Sequence, residues 1–361
     1  MKEKTIHPIK YMSFGSPLMD FIGDVSQEFI KDNGIKLNTT IHSKINDIKF
    51  FEIFTKQNNI SCMPGGCQFI AMRVFNWMLK LNKEKDETDI ITFLGSVGSR
   101  DDYGEKYKNL LKSEGINSIF ETIPDQNTGV CVAICRNQDR ALITDLGASI
   151  SITDEFIEKN WDKFKDVKLI YTELFILRHK REFCFKLATF GSRDETIYGF
   201  NLPAEFFLKN YIKDIYKICA FADIIFANQS EASLYCSLLG YEVLNPEDTE
   251  ELAYLLSKNI PKQNNNKNRI VVVTFGPKPA SVCEFNHKKQ IIVFKKSFDV
   301  KKVDPDKIID TDGAGDSFAG GFLSKFMKKK DLKECMEAGH YAASIMIQRR
   351  GYDIPKIISN D

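Results

Sequence analysis

Ile308-Ile309-Asp310-Thr311-Asp312-Gly313-Ala314-Gly315-Asp316-Ser317-Phe318-Ala319-Gly320-Gly321-Phe322, IIDTDGAGDSFAGGF, is the stretch whose reading decides the fold of this 361-residue chain. From Ser317 onward the apolar residues fall at Phe318, Ala319, Phe322, Leu323, Phe326 and Met327, a spacing that predicts an amphipathic helix. Gly313-Ala314-Gly315 then stands at its N-terminus, where the first N–H groups lack intrahelical acceptors and the helix dipole presents its positive end. Glycines there let an anion come close to the backbone. A carboxylate beside such a site, Asp316, can take a proton from an attacking hydroxyl, while the glycine N–H groups stabilise charge developing on a transferred phosphoryl group. The same residues fit a plainer reading, with Asp316 or Asp312 as an N-cap and the glycines as a tight left-handed turn.

Composition narrows the ligand. With 43% hydrophobic residues the chain can bury a sizeable core. Lys and Arg number 50 against 49 Asp and Glu, so no global field draws the protein to nucleic acid or to an anionic membrane, and a small molecule is the expected ligand. The nine cysteines include no C-x-x-C pair and no metal-ligand spacing, which reads as reduced thiols. The opening MKEKTIHPIKYMSFG lacks an apolar signal core, and no apolar run reaches the about 18 residues that span a bilayer. A cytoplasmic address is the expectation. No G-x-x-x-x-G-K-[ST], no G-x-G-x-x-G opening a helix after the first strand and no H-E-x-x-H occurs, which disfavours a P-loop kinase, a dinucleotide enzyme and a zincin.

Short apolar runs alternate with helical patterns. Strands are predicted at 90–94 (IITFL), 130–134 (VCVAI), 168–172 (KLIYT), 197–201 (IYGFN), 224–227 (IIFA) and 270–274 (IVVVT), with helices at 69–81, 104–114, 205–220, 231–239 and 247–258. Continuous apolar runs separated by helices imply a largely parallel α/β sheet covered on both faces. Residues 20–60 and 119–150 break the rhythm and read as strands of a smaller sheet, a lid made from two pieces of chain. The tracts 82–89 (NKEKDETD) and 262–268 (KQNNNKN) read as polar surface loops.

DTDGAGDSFAGGF resembles the C-terminal signature of the ribokinase-like (PfkB) family of sugar and nucleoside kinases. The resemblance extends to FGSPLMD from Phe14, the Pro64-Gly65-Gly66 turn, FLGSVGSRDDYGEKYKNLLKSEGI from Phe93, NTGVCVAI from Asn127, RALITDLGAS from Arg140, NLPAEF from Asn201, DIIFANQSEA from Asp223 and AGHYAASIMIQRRG from Ala338, which follow the order of the family's adenosine kinases. It covers roughly residues 10–355. It implies a three-layer α/β/α core (1–17, 66–118 and 151–361) with a small, mainly β lid (18–65 and 119–150), and transfer of the γ-phosphoryl of ATP to a nucleoside 5′-hydroxyl with Mg²⁺. It further implies Asp316 as base, Gly313, Ala314 and Gly315 as anion hole, and Arg140 as a lid arginine that meets phosphate. The nucleoside side falls on Ser16, Asp20, Gly65, Gly66, Cys67, Ile70, Leu142, Leu146 and Phe175, and the ATP side on Asn228, Thr274, Gly276 and His340. Glu231 is matched to Mg²⁺ through water, although Asn228 and Glu231 also have the spacing of a capping box.

The chain departs from that pattern at the sugar. The family's G-N-P is Gly15-Ser16-Pro17 here, its S-T-Q-N is Cys67-Gln68-Phe69-Ile70, and Glu173 replaces a small residue. A lost ligand-directed hydrogen bond costs roughly 1 to 3 kcal/mol. The expectation is an ATP- and Mg²⁺-dependent adenosine kinase, monomer or homodimer. Its alternatives are the same chemistry on another nucleoside or sugar, and a non-catalytic kinase-like protein that binds a nucleotide or a protein partner.

Overall fold

The computed structural model describes residues 9–37, 40–42, 48–57, 60–86, 89–136 and 139–357. The strands are β1 (Ile9–Phe14), β2 (Leu18–Asp24), β3 (Thr40–His42), β4 (Ser61–Gly65), β5 (Asp89–Gly98), β6 (Asn117–Ile123), β7 (Gly129–Arg136), β8 (Asp139–Asp145), β9 (Val167–Thr172), β10 (Ile197–Asn201), β11 (Ile224–Asn228), β12 (Arg269–Phe275), β13 (Lys278–Asn286) and β14 (Ile291–Phe298). The helices are α1 (Gln27–Asp32), α2 (Ile48–Thr55), α3 (Cys67–Leu81), α4 (Tyr103–Ser113), α5 (Asp154–Asn160), α6 (Arg181–Gly191), α7 (Glu205–Cys219), α8 (Gln229–Leu238), α9 (Thr249–Asn259), α10 (Ala314–Met327) and α11 (Leu332–Met346).

Nine strands form one sheet in the order β14-β13-β12-β11-β10-β9-β1-β5-β6, parallel from β6 through β12. Its central strands are buried on both faces, as their unbroken apolar runs require: Val271, Val272 and Val273 are all inaccessible. The antiparallel β13–β14 hairpin at one edge was not read from the sequence. The chain winds from β1 through β5 to β6, then resumes on β1's other side with β9. The direction therefore reverses between β1 and β9, and the C-terminal ends of parallel strands flanking such a reversal enclose a crevice.

A five-stranded sheet, β3-β8-β7-β2-β4, stands over that crevice. It draws on two pieces of chain, β2–β4 and β7–β8, and differs in two places from the lid expected from the sequence. β6 pairs with β5 in the large sheet, so residues 119–123 belong to the core and the second lid piece begins at β7. Within the first piece, the short helices α1 and α2 interrupt the strands. The predicted strand at 130–134, within the 119–150 stretch expected to form the smaller sheet, is β7 of that sheet, antiparallel to β8 and parallel to β2. The tract at 262–268 is also more than a surface loop: Lys262 is buried with its ammonium 2.6 Å from Asp223, which also pairs with Lys267 at 2.6 Å.

Helices α3 and α10 both begin at the crevice, and the second glycine pair of the signature sets how closely they pack. A Cβ on Gly320 would lie 2.3 Å from Ala71 O of α3, and one on Gly321 would lie 2.5 Å from Ala338 O of α11. Backbones this close leave no room for a methyl group, so Gly320→Ala should force the helices apart. We expect a loss of about 1 to 3 kcal/mol in urea unfolding, with a weakened active site, against little change for alanine at the exposed Lys330.

Candidate active site

The end of each central strand delivers one polar group to the crevice. Ser16 follows β1, Glu173 follows β9, Asn201 ends β10, Asn228 ends β11 and Thr274 lies near the end of β12. Opposite them, Gly313 caps α10 with φ at 68°, a left-handed value that glycine adopts without steric cost. This places Asp316 in the first turn of α10, facing Asn201, whose Nδ2 donates to Asp316 Oδ1 at 2.8 Å. Tyr171 fixes that amide by donating to Asn201 Oδ1 at 2.5 Å. Neither Asn201 in this role nor Tyr171 was singled out from sequence, although NLPAEF was noted as a block.

Two cavities meet at Asp316. One, of about 230 Å³, runs under the lid and is lined at one end by Asp20, Asp312 and Tyr352 and along its length by Leu142, Leu146, Phe175, Phe206 and Phe207. The other, of about 290 Å³, contains Asn228, Glu231, Thr274, Thr311 and the Gly313-Ala314-Gly315 turn. Cys67, Glu173, Phe175, Asp312, Gly313 and Asp316 line both. Among the described residues, the N–H groups of Gly315 and Asp316, in the first turn of α10 beside the second cavity, have no backbone acceptor.

Asp20 comes from β2. A Cβ on Gly65 would overlap Asp20 Oδ2 at 1.8 Å, so only glycine allows this carboxylate to lie against the β4 backbone. Gly66 has φ at 100°, and the Tyr107 hydroxyl gathers Leu18 O, Gly65 O and the Gly65 N–H at the base of the lid. Ser16 donates from both N (2.9 Å) and Oγ (2.5 Å) to Glu173 Oε1. The serine that shortens the family's asparagine thus pairs with the glutamate that replaces a small residue. Ile70, on α3, presents only methyl groups to the cavity and packs near Gly313.

Asp20 and Glu173 are buried, Asp316 and Glu231 half-buried, and the four lie around the two cavities. Burial, then Asp312 and Glu231, push Asp316 up to about 8, although the Cys67 thiol hydrogen-bonds its charged form. Burial alone drives Glu173 up to about 7 against the two Ser16 bonds, and burial raises Glu231 to about 7. Asp20 is held well above the usual carboxylate range by burial, then by Asp312 and Asp316. Among the described residues lining the first cavity, Arg178 is the one cation.

Other expected residues fall differently. Arg140 lies on β8 opposite Cys135, and its side chain is outside the described residues. Asn228 and Glu231 form the capping box of α8, Asn228 Oδ1 accepting from Glu231 N at 2.8 Å and Glu231 Oε2 from Asn228 N at 3.0 Å. Gly276 and His340 line neither cavity. Gly276 makes a left-handed turn after β12, and His340 is packed at 5.2 Å against Phe318, its Nε2 buried without a partner among the described residues.

Residues 34–358 match the pfkB family carbohydrate kinase. The chain belongs to that family. It is similar to adenosine kinase 2 of Arabidopsis thaliana, at 29% identity over 96% of this chain and 95% of that protein, and to adenosine kinase of Saccharomyces cerevisiae, at 28% over 94% and 95%. The fold is that of Trypanosoma brucei brucei adenosine kinase, with TM-score 0.81 and 27% identity over 95% of this chain and 100% of that one. An Anopheles gambiae adenosine kinase solved with P1,P4-di(adenosine-5) tetraphosphate shares the fold at TM-score 0.84 and 24% identity, over 98% of this chain and 100% of that one.

The Glu173 carboxyl makes a stability prediction with a definite sign. Its folded value of about 7 lies above the ordinary 4.5, so the folded state holds the proton more tightly. Stability is therefore full below about pH 4.5 and is lost as pH rises through 7. Glu173→Gln removes that loss. The variant should gain on the wild type between pH 5 and 8, by on the order of 3 kcal/mol at most, in denaturant unfolding at each pH.

Proposed function

We propose that this kinase transfers the γ-phosphoryl group of ATP to the 5′-hydroxyl of adenosine, forming AMP and ADP in purine salvage. The observation that carries the proposal is the position of Asp316 where the two cavities meet, held by Asn201 and flanked by N–H groups that have no backbone acceptor.

The first cavity suits a nucleoside better than a bare sugar, since it joins an aromatic and aliphatic wall, which accepts a base, to an acidic end, which accepts sugar hydroxyls. Asp20 can accept two hydroxyl hydrogens at once. The 5′-hydroxyl would then face Asp316, which takes its proton as the oxygen attacks the γ-phosphorus and ADP leaves. The Gly315 and Asp316 N–H groups receive the charge on the transferred oxygens. A base held near neutrality by its surroundings is matched to this task. A lid that shuts over both substrates keeps water from taking the phosphoryl group instead.

The second cavity also fits Mg²⁺. Its donors are hard oxygens, and the mutual repulsion of Asp316 and Glu231 is what a cation would relieve. Among the described residues no cluster of three His, Cys, Asp or Glu side chains could hold a metal alone, which suits an ion that takes most of its ligands from phosphate and water. Asn228 and Glu231 would hold it, and once bound it would neutralise phosphate charge. No described helix is long and apolar enough to cross a membrane, and the nine cysteines are free thiols; we assign the enzyme to the cytoplasm. An intact phosphoryl-transfer apparatus weighs against a purely nucleotide-binding role.

Asp316→Asn keeps the shape of the side chain and removes the base. Turnover of adenosine with ATP and Mg²⁺ should fall by about 10²- to 10⁴-fold with ATP binding retained. Wild-type turnover in this variant would refute the assignment of the base, and a wild type active on inosine, guanosine or ribose but inert on adenosine would refute the choice of acceptor.

A further inference from the structure

The acidic end of the nucleoside cavity contains a hydroxyl group that the sequence reading did not use. Tyr352 lies beyond the C-terminal end of α11, where the chain returns to the crevice, and is only 5% exposed. Its ring forms part of the cavity wall beside Ile70, in the same apolar cluster, and presses on the turn before α10: a Cβ on Gly313 would meet Tyr352 Cε1 at 2.7 Å. Its hydroxyl donates to Asp312 Oδ2 at 2.9 Å and also faces Asp20, whose charged form it favours.

Contacts from several elements hold it there. Arg73 of α3 donates from Nη1 to Tyr352 O at 3.0 Å, and the same guanidinium is anchored by a bidentate pair with Glu114 at the end of α4. The Tyr352 N–H reaches the Met63 sulfur at 3.2 Å, and Met63 is the β4 residue paired with Asp20. With its backbone held at both N–H and C=O, its ring packed against Ile70 and Gly313 and its hydroxyl between two carboxyl groups, Tyr352 is placed in the cavity as a recognition group. A phenol has one proton and lone pairs to spare, so while donating to Asp312 its oxygen can still accept from a ligand hydroxyl.

We propose that Tyr352 determines acceptor specificity: its hydroxyl, held between Asp20 and Asp312, hydrogen-bonds one of the vicinal hydroxyls of the acceptor's sugar and supplies the polar contact that Ile70 cannot. The inference rests on the nucleoside reading of the first cavity. It makes Tyr352 a binding residue, with no part in the proton transfer at Asp316.

The test compares wild type and Tyr352→Phe with adenosine, 2′-deoxyadenosine and 3′-deoxyadenosine as acceptors, with melting temperatures measured to verify that both proteins are folded. With adenosine the variant should show a KM raised about tenfold, kcat within about threefold and an unchanged KM for ATP. With the deoxynucleoside that lacks the partner hydroxyl, wild type and variant should become equal, because the contact is already missing. A variant that matches wild type on adenosine, or that loses the same factor on all three nucleosides, overturns the proposal and leaves the adenosine reading standing. A wild type that cannot use adenosine overturns both.

Discussion

Four carboxyl groups, those of Asp20, Glu173, Asp312 and Asp316, share one crevice, and there burial together with neighbouring carboxyl groups raises the proton affinity of Asp20 and Asp316. The rest of the site is arranged around that constraint. Asn201 gives Asp316 an amide donor, Ser16 gives Glu173 two, and Tyr352 gives Asp312 one. The N-terminus of α10 adds positive dipole without adding a charged side chain. What remains uncompensated is a surplus of negative charge beside an anion site. That combination favours a ligand arriving with its own cation, as a nucleoside triphosphate does.

The crowding depends on backbone geometry. β1 and β9 end side by side at the reversal of the sheet, so Ser16 and Glu173, distant in sequence, come within hydrogen-bonding distance. Gly65 lets Asp20 lie against a neighbouring strand, and Gly320 lets α10 approach α3 until Asp316 and Cys67 share one wall. Adding one methyl group at either glycine would move a carboxylate relative to the turn that we propose receives the phosphoryl charge, and transfer tolerates little misplacement.

Much of this was legible in the sequence where local rules govern. Apolar runs such as IVVVT located the core strands, and the spacing after Ser317 located α10 and with it the anion turn. The capping-box spacing of Asn228 and Glu231 was also realised. The lid boundary was misread because β6 (NSIFETI) is mostly half-buried and shares the Thr, Ile and Phe content of the strands that follow it, while its place is set by pairing with β5, a long-range choice. Asn201 and Tyr352 were missed for a related reason. An asparagine closing a strand and a tyrosine beyond the last helix carry no pattern, and their roles exist only once Asp316 and Asp312 are brought to them. Ser16 and Glu173 each looked like a loss when read alone; together they form one hydrogen-bonded pair.

We propose that Asp316 is a half-buried base whose ionisation answers to the cation brought with ATP. The pH dependence of kcat/KM for adenosine, measured from about pH 5.5 to 9.5 at several Mg²⁺ concentrations, tests it most directly. Since the free carboxyl is raised to about 8, activity should fall as pH drops below that value, and the acidic limb should move to lower pH as Mg²⁺ is increased, because a nearby cation favours the carboxylate. A profile flat from about pH 6 to 9, or a limb that Mg²⁺ leaves in place, would contradict the claim.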